Sequence, residues 1–391
     1  MILVIADDLT GVTELSGIGL QYGLSVEVSL DAAVRSHADM LIIAMDTRSV
    51  SRDEAIEKTR QITRQIRKLK PDFIFKKVDS VLRGYISDEI NVHLEGLNLP
   101  RALVVPCNPA LGRVIIDGNY YLNDTLLHLS SFANDPEFSL KTSDVKELLK
   151  HDFIDVTVRK SGQLFDLEGL IIGEARDQTD LKNWVDNIDA KTFIAGAAGF
   201  FTAILDGLNV TQSESSVKPA PKFRYPALVV SGTAYADSCN TIKRLKRQGQ
   251  PVSYMPADIL YANTADIDLE NWGKVIGNYI DLYGKAFLAV DPEMTGKRHV
   301  SAKLLREKTA CIIKWIFERN EIAELIIEGG STAAEVLRAL GISKLHPIEN
   351  AAPGVIKMKN DKYPGLHITL KPGSYPWPGH YDFEVFGKLA R

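Results

Sequence analysis

The 391-residue chain has only three cysteines, Cys107, Cys239 and Cys311, far apart and without a CxxC pair. That scarcity excludes a disulfide framework and a thiolate zinc site, and it fits a reducing cytoplasm. Charge of one sign is also missing: 46 Lys and Arg stand against 50 Asp and Glu, a formal net charge of −4. Nucleic-acid binding through bulk positive charge is therefore excluded. The longest nearly apolar stretch, Phe193 to Leu205, falls short of the roughly 20 residues a membrane-crossing helix needs. The start, Met1 to Ala6, runs into Asp7-Asp8 without the basic residues or small-residue cleavage site of a signal peptide, and reads as a buried strand.

Familiar catalytic signatures are absent too. No GxxxxGKS or GxxxxGKT occurs, Gly296-Lys297 lacking the upstream glycine, and there is no HExxH, GxSxG or HRD motif. The eight histidines are scattered without metal-ligand spacing. Gly17, Gly19 and Gly23 imitate a dinucleotide fingerprint, but the spacing has one residue too many and falls inside an expected helix, so close helix packing explains them better. The sequons at Asn123–Thr125 and Asn209–Thr211 carry no meaning in a cytoplasmic chain.

What the sequence does have is alternation. Ile2–Ile5, Met40–Ile43, Phe73–Phe75 and Ala102–Val105 are short, branched or aromatic runs of the kind buried on both faces of a parallel sheet. Between the second and third, Ser51 and Glu54 form a capping box, and Ala55, Thr59, Ile62, Ile66 and Leu69 recur at helical spacing until Pro71. The pattern breaks over Thr211–Pro226, a polar stretch suited to a linker. It then restarts: strands are expected at Ala227–Val230, Ala286–Val290 and Glu324–Ile327, and helices at Ala236–Arg247, Ser301–Arg319 and up to Leu340. The expected fold is two α/β domains with mostly parallel sheets, residues 1–212 and 226–391 joined by a linker at 213–225.

Ligands of open parallel sheets sit at the carboxyl ends of strands, so polar residues just after the apolar runs are the candidates. The first run ends in Asp7-Asp8-Leu9-Thr10-Gly11. A helix cap accounts for one Asp; two carboxylates followed by Thr and Gly also suit a site that accepts hydroxyl hydrogen bonds or holds a hydrated cation. Asp46-Thr47-Arg48-Ser49 and Lys76-Lys77-Val78-Asp79-Ser80-Val81-Leu82-Arg83-Gly84 end two further runs. Lys77 and Asp79 alternate out of a strand and should point the same way, while Ser80 and Arg83 should open the next helix. Cations for a small carboxylate and acceptors for a polyol meet in this one stretch. Pro106-Cys107-Asn108-Pro109-Ala110-Leu111-Gly112-Arg113 closes the next strand. In the second half, Ser231-Gly232-Thr233, Gly329-Gly330-Ser331-Thr332 and Lys371-Pro372-Gly373-Ser374 place glycines and hydroxyls at strand ends, where free backbone N–H groups hold phosphate oxygens.

These motifs, in this order, resemble the four-carbon acid sugar kinase family of D-threonate, D-erythronate and 3-oxo-tetronate kinases. The family's ADDLTG corresponds to Ala6–Gly11, its DTRS to Asp46–Ser49, its KKxDSTLRG to Lys76–Gly84, and its PxxPxxGR with a following DG to Pro106–Arg113 and Asp117-Gly118. The late motifs correspond to Ser231–Thr233, Gly329–Thr332 and Lys371–Gly373. Departures are specific: Val81 replaces a Thr, Tyr85 an Asn, and Ser331 an acidic residue, and Ser374-Tyr375-Pro376 stands for Asn-Phe-Gly.

The resemblance implies an ATP-dependent kinase acting on a hydroxyl of a small sugar acid, Mg²⁺ arriving with ATP and the active site lying in the interdomain cleft. Asp7, Asp8, Arg48, Lys77, Asp79, Ser80 and Arg83 fall to the substrate side; Ser231, Gly329, Gly330, Ser331, Thr332 and Gly373 fall to the nucleotide side. No residue is assigned as a metal ligand. Lys77 and Arg83 would hold the substrate carboxylate or the transferring phosphoryl group, and Asp79 or Asp7 would take the hydroxyl proton. Two other readings stay open: a phosphatase or hydrolase using Asp7-Asp8 as nucleophile and metal ligand, and a non-catalytic sugar-acid sensor. The expected partners are the small molecules, with neither nucleic acid nor membrane, and a homodimer remains an option.

Overall fold

The alternation folds, in the computed structural model, into two units, Met1–Ser213 and Glu214–Arg391. The structure describes residues 1–31, 36–134, 138–163, 167–208, 210, 223–262, 269–295 and 300–377. Residues 213–222 of the expected linker, Gly296-Lys297, and sequon positions 209 and 211 lie outside them.

The first unit contains β1 (Ile2–Ala6), α1 (Leu9–Gln21), β2 (Val26–Ser29), β3 (Met40–Ala44), α2 (Arg52–Leu69), β4 (Phe73–Lys77), α3 (Ile86–Leu97) and β5 (Arg101–Val105). A small antiparallel sheet of β6 (Arg113–Ile116), β7 (Asn119–Leu122) and β8 (Thr125–Leu126) follows. Then come α4 (Val145–Leu148), β9 (Val156–Arg159), β10 (Gly169–Gly173), α5 (Gln178–Val185), β11 (Thr192–Gly196) and α6 (Ala198–Gly207). The main strands lie in the order β2-β3-β1-β4-β11-β5-β10-β9, all parallel. The chain leaves β1 in one direction along the sheet and returns to the other side of it with β4. This makes the carboxyl ends of β1, β3 and β4 the switch point where ligands of such sheets bind.

Local chemistry explains the elements. The expected helix spans Arg52–Leu69, with Ser51 Oγ accepting the Glu54 N–H at 3.4 Å and Lys70 closing it in the left-handed conformation just before Pro71. Leu3, Ile5, Leu41, Ile43, Ile62 and Ile66 bury together between this helix and the sheet. A Cβ on Gly19 would lie 2.4 Å from Met40 Cε, so that glycine serves helix–sheet packing, as expected from the failed dinucleotide spacing.

The second unit runs β12 (Ala227–Ser231), α7 (Ala236–Arg247), β13 (Val252–Tyr254), α8 (Ala257–Tyr261), α9 (Glu270–Tyr283), β14 (Lys285–Ala289), α10 (Pro292–Thr295), α11 (Ala302–Phe317), β15 (Glu324–Glu328), α12 (Gly330–Ala339), β16 (Lys344–Ala352), β17 (Val355–Asn360) and β18 (His367–Lys371). Strands β13-β14-β12-β15-β18 are parallel neighbours, and β17 and β16 continue antiparallel. Here the switch lies at β12 and β15, whose carboxyl ends carry two of the glycine motifs. Among the described residues no helix is long and apolar enough to cross a membrane.

Candidate functional site

Strand β1 delivers Asp7 and Asp8 at its carboxyl end. Asp8 caps α1, its Oδ1 accepting the Gly11 N–H at 2.8 Å, and its Oδ2 pairs with Arg48 Nη2. The helix cap weighed in the sequence is therefore present, and the same carboxylate also pairs with Arg48. Arg48 leaves the end of β3 through Asp46, which is held at φ 49°, an uncommon conformation for a non-glycine residue. Its Nη1 lies 2.7 Å from Asp79 Oδ1 and 3.8 Å from Asp7 Oδ2, so one guanidinium joins the ends of three strands.

From β4, Lys77 reaches Glu14 at 3.3 Å and donates to the Val78 carbonyl at 2.9 Å. A Cβ on Gly11 would stand 2.8 Å from Lys77 Cγ, which explains the glycine of the first motif: α1 must start flush against this lysine. Burial alone would lower the Lys77 pKa, but Glu14, Asp7, Asp8 and Asp79 outweigh it and hold the ammonium above its usual value.

The segment after β4 departs from expectation. Ser80 and Arg83 do not open a helix; α3 begins at Ile86, and the chain first turns, with the Leu82 N–H on the Asp79 carbonyl and both Leu82 (φ 64°) and Gly84 (φ 98°) left-handed. Two such residues cannot belong to a right-handed helix. The turn curls Arg83 back on Asp79, with Nε–Oδ2 and Nη2–Oδ1 both 2.9 Å and the Arg83 backbone N–H at 3.1 Å. Burial works against ionising Asp79, yet Arg48 and Arg83 overcome it and hold this carboxyl far below the usual carboxylate range. Ser80 is gripped from the small sheet: Arg113 Nη1 donates to its Oγ, and the Tyr120 hydroxyl donates to its carbonyl.

Asp7 is the opposite case. It is 4% exposed, and neither carboxylate oxygen has a hydrogen-bond partner. Burial pushes its pKa up to about 7; Arg48 and Lys77 pull against that, and Asp8 and Asp79 add to it. Two aspartates in one cluster are thus driven apart, one locked as a carboxylate and one poised to exchange a proton near neutrality.

In the second unit the motifs after β12, β15 and β18 also converge. Thr332 Oγ1 donates to the Gly232 carbonyl at 3.1 Å, and the Gly329 N–H donates to the Lys371 carbonyl at 2.8 Å. Added Cβ atoms would lie 2.3 Å from Thr332 Oγ1 at Gly232, 2.8 Å from the Gly232 oxygen at Gly329, and 2.3 Å from Thr233 Oγ1 at Gly373. Gly329 takes φ 108°, open essentially to glycine, and starts α12 at Gly330, leaving Ser331 and Thr332 in its first turn. Beneath these loops lies a residue the sequence reading passed over. Glu328, buried, accepts from Ser231 Oγ at 3.2 Å and Ser238 Oγ at 2.6 Å and pairs with Lys371. The signal was present: Glu328 precedes the double glycine and Lys371 opens the last motif. Glu14 was missed for lack of any local signature. Near the first cluster, Cys107 is fully buried, its thiol pushed up to about 12 by burial. Among the described residues no three His, Cys, Asp or Glu side chains gather as a metal site.

Comparison with known proteins decides the lineage. Residues 2–204 match a family model described as a sugar-binding N-terminal domain, and residues 228–375 one described as a nucleotide-binding C-terminal domain. The chain belongs to the four-carbon acid sugar kinase family. Within that family it is similar to a 3-oxo-tetronate kinase of Actinobacillus succinogenes, 23% identical over 99% of both chains. It is also similar to a D-threonate kinase of Salmonella typhimurium, 22% identical over 95% of both. A solved Haemophilus influenzae protein shares the fold of this family member with a TM-score of 0.71 at 18% identity, covering 97% of this chain and 98% of that one.

Proposed function

We propose that this protein is an ATP-dependent kinase that phosphorylates a hydroxyl of a four-carbon sugar acid. The first unit would bind the acid and the second the nucleotide, in keeping with the family models' descriptions and the relatives' names. The observation that carries the reading is Asp7: a buried carboxylate with two unfilled acceptor oxygens and a pKa near 7, at the switch point of the first sheet.

Phosphoryl transfer asks a protein mainly to position and neutralise. Asp7 takes the proton of the substrate hydroxyl, the freed oxygen bonds to the γ-phosphorus of ATP, and the bond from that phosphorus to the bridging oxygen breaks as ADP leaves. Asp79 is unsuited to the proton's role because Arg48 and Arg83 occupy it. It positions those two cations instead. Mg²⁺ would arrive bound to the nucleotide, as part of the substrate. On the other side, the first-turn N–H groups of α12 would meet phosphate oxygens, with Ser231, Gly329, Gly330, Ser331, Thr332 and Gly373 forming the loop walls.

The phosphatase reading needs a carboxylate free to hold a metal beside Asp7, and Asp8 is spent on the α1 cap and on Arg48. ADP release coupled to a reporter, screened across threonate, erythronate and oxo-tetronate isomers with Mg²⁺, tests the kinase proposal. Background rates with every isomer would refute it, and acid binding without turnover would point to the sensor.

A further inference from the structure

Among the described residues, the cationic side chains Arg48, Lys77, Arg83 and Arg113 lie around the turn from Asp79 to Gly84. Three are matched by carboxylates. Arg48 pairs with Asp8 and Asp79, Lys77 with Glu14, and Arg83 with Asp79. Cations already neutralised in the resting protein have little charge left to offer an incoming acid.

Arg113 differs. Among the described residues no carboxylate lies within ion-pair distance of it, and its buried Nε has no hydrogen-bond partner while Nη1 holds Ser80 Oγ. The backbone fixes its place. The Asn108 N–H donates to the Arg113 carbonyl at 2.8 Å, the Arg113 N–H donates back at 3.1 Å, and Gly112 turns the chain between them at φ 64°. Tyr120, fully buried on the neighbouring strand β7, ties the same Ser80 by its carbonyl and feels the charge of Arg113. A guanidinium held beside the turn with its Nε edge unfilled is an incomplete hydrogen-bonding group. Such an edge fits a carboxylate side-on, with two parallel N–H···O bonds.

We infer that Arg113 is the anchor for the substrate's carboxylate and the residue that distinguishes a sugar acid from a neutral polyol. This rests on the reading of the first unit as the acid-sugar site. Arg113 is a binding residue, with the proton transfer left to Asp7. It also gives Ser80 a purpose: its hydroxyl holds one arm of the guanidinium so that the other edge faces the ligand.

The test is calorimetric binding of threonate and erythronate, beside threitol and erythritol as neutral counterparts, to the full-length protein and to Arg113→Gln. Acid binding should weaken about 30-fold or more, as for truncation of one partner of a buried charge pair. Polyol and ATP binding should hold, and methylguanidinium should restore part of the acid affinity. Equal losses for acid and polyol, or acid binding as strong as in the parent protein, overturn the inference. If Arg113→Gln fails to fold, Arg113→Lys keeps the charge without the bidentate edge, and the acid-over-polyol preference must still shrink. The two readings fail separately. Arg113-dependent acid binding in a protein that releases no ADP leaves this inference standing and removes the kinase, whereas no acid binding at all removes both.

Discussion

At the carboxyl edge of the first sheet, Asp7, Asp8, Glu14 and Asp79 face Arg48, Lys77 and Arg83, an interlocked set of side-chain charges. At the same edge of the second sheet, the loops after β12, β15 and β18 meet through glycines, hydroxyls and backbone carbonyls, with a buried Glu328–Lys371 pair below them. Both edges sit at switch points, yet they are built from different chemistry. Side-chain charges discriminate among small polar molecules by number and geometry. A backbone cradle suits a phosphate chain, which every nucleotide shares. The first edge also holds its groups unequally, Asp79 saturated and Asp7 unfilled, and that inequality is what makes chemistry available there.

The largest test of this contrast is Asp7→Asn. On the proposal that Asp7 is the base, its loss should cut kcat by about 10²–10⁴-fold with little change in KM. In the parent protein kcat/KM should rise with pH through a midpoint near 7, following the raised pKa. A midpoint near 4 would place the proton elsewhere. Next comes Asp79→Asn, which strips Arg48 and Arg83 of their shared partner. Breaking a buried pair costs about 3–5 kcal/mol, so urea denaturation should show a large loss, with kcat falling less than in Asp7→Asn. The reverse order of kcat effects would restore Asp79 as the base.

In the second unit, Gly330→Val should weaken ATP binding by at least about tenfold through crowding of the α12 start, while sugar-acid binding stays unchanged. Calorimetry with intact ATP affinity in the folded variant would take this loop out of the nucleotide site. The smallest effect is on stability. A carboxyl whose folded pKa is raised stabilises fully below its unfolded value and loses that contribution as pH rises through the folded one. Asp7 should therefore cost stability progressively between about pH 4 and about pH 7, so Asp7→Asn should gain a few kcal/mol over the parent at pH 8.5 and almost nothing near pH 3. Equal stability at both pH values would mean that Asp7 is ionised at no cost.

Periodicity and caps carried most of the fold: strands starting at Ile2, Met40 and Phe73 and the Ser51-capped helix lie where their residue patterns put them. The strand-end rule was enough to gather Asp7, Arg48, Lys77 and Asp79, because parallel strands in adjacent positions bring their ends together whatever their distance in sequence. The failures are local and instructive. The helix expected from Ser80 was blocked by left-handed Leu82, a residue whose type gives no warning of that conformation. Which aspartate is free and which is tied was illegible, since that depends on how far Arg48 and Arg83 reach. Arg113 lay in a recognised motif, but its unpartnered buried Nε shows only once Tyr120 and Ser80 are placed around it.

Cys107 has a practical consequence. Its thiol, sealed just after β5 in the segment that leads to Arg113 at the start of β6, is not ionised at neutral pH and is closed to solvent. A disulfide reagent can reach it only when the strand end opens. The rate of its modification is therefore a clock for that opening, read residue by residue with mass spectrometry. Slowing of the clock by added sugar acid, but not by ATP, would show that the acid holds this strand end closed, without any assay of phosphate transfer.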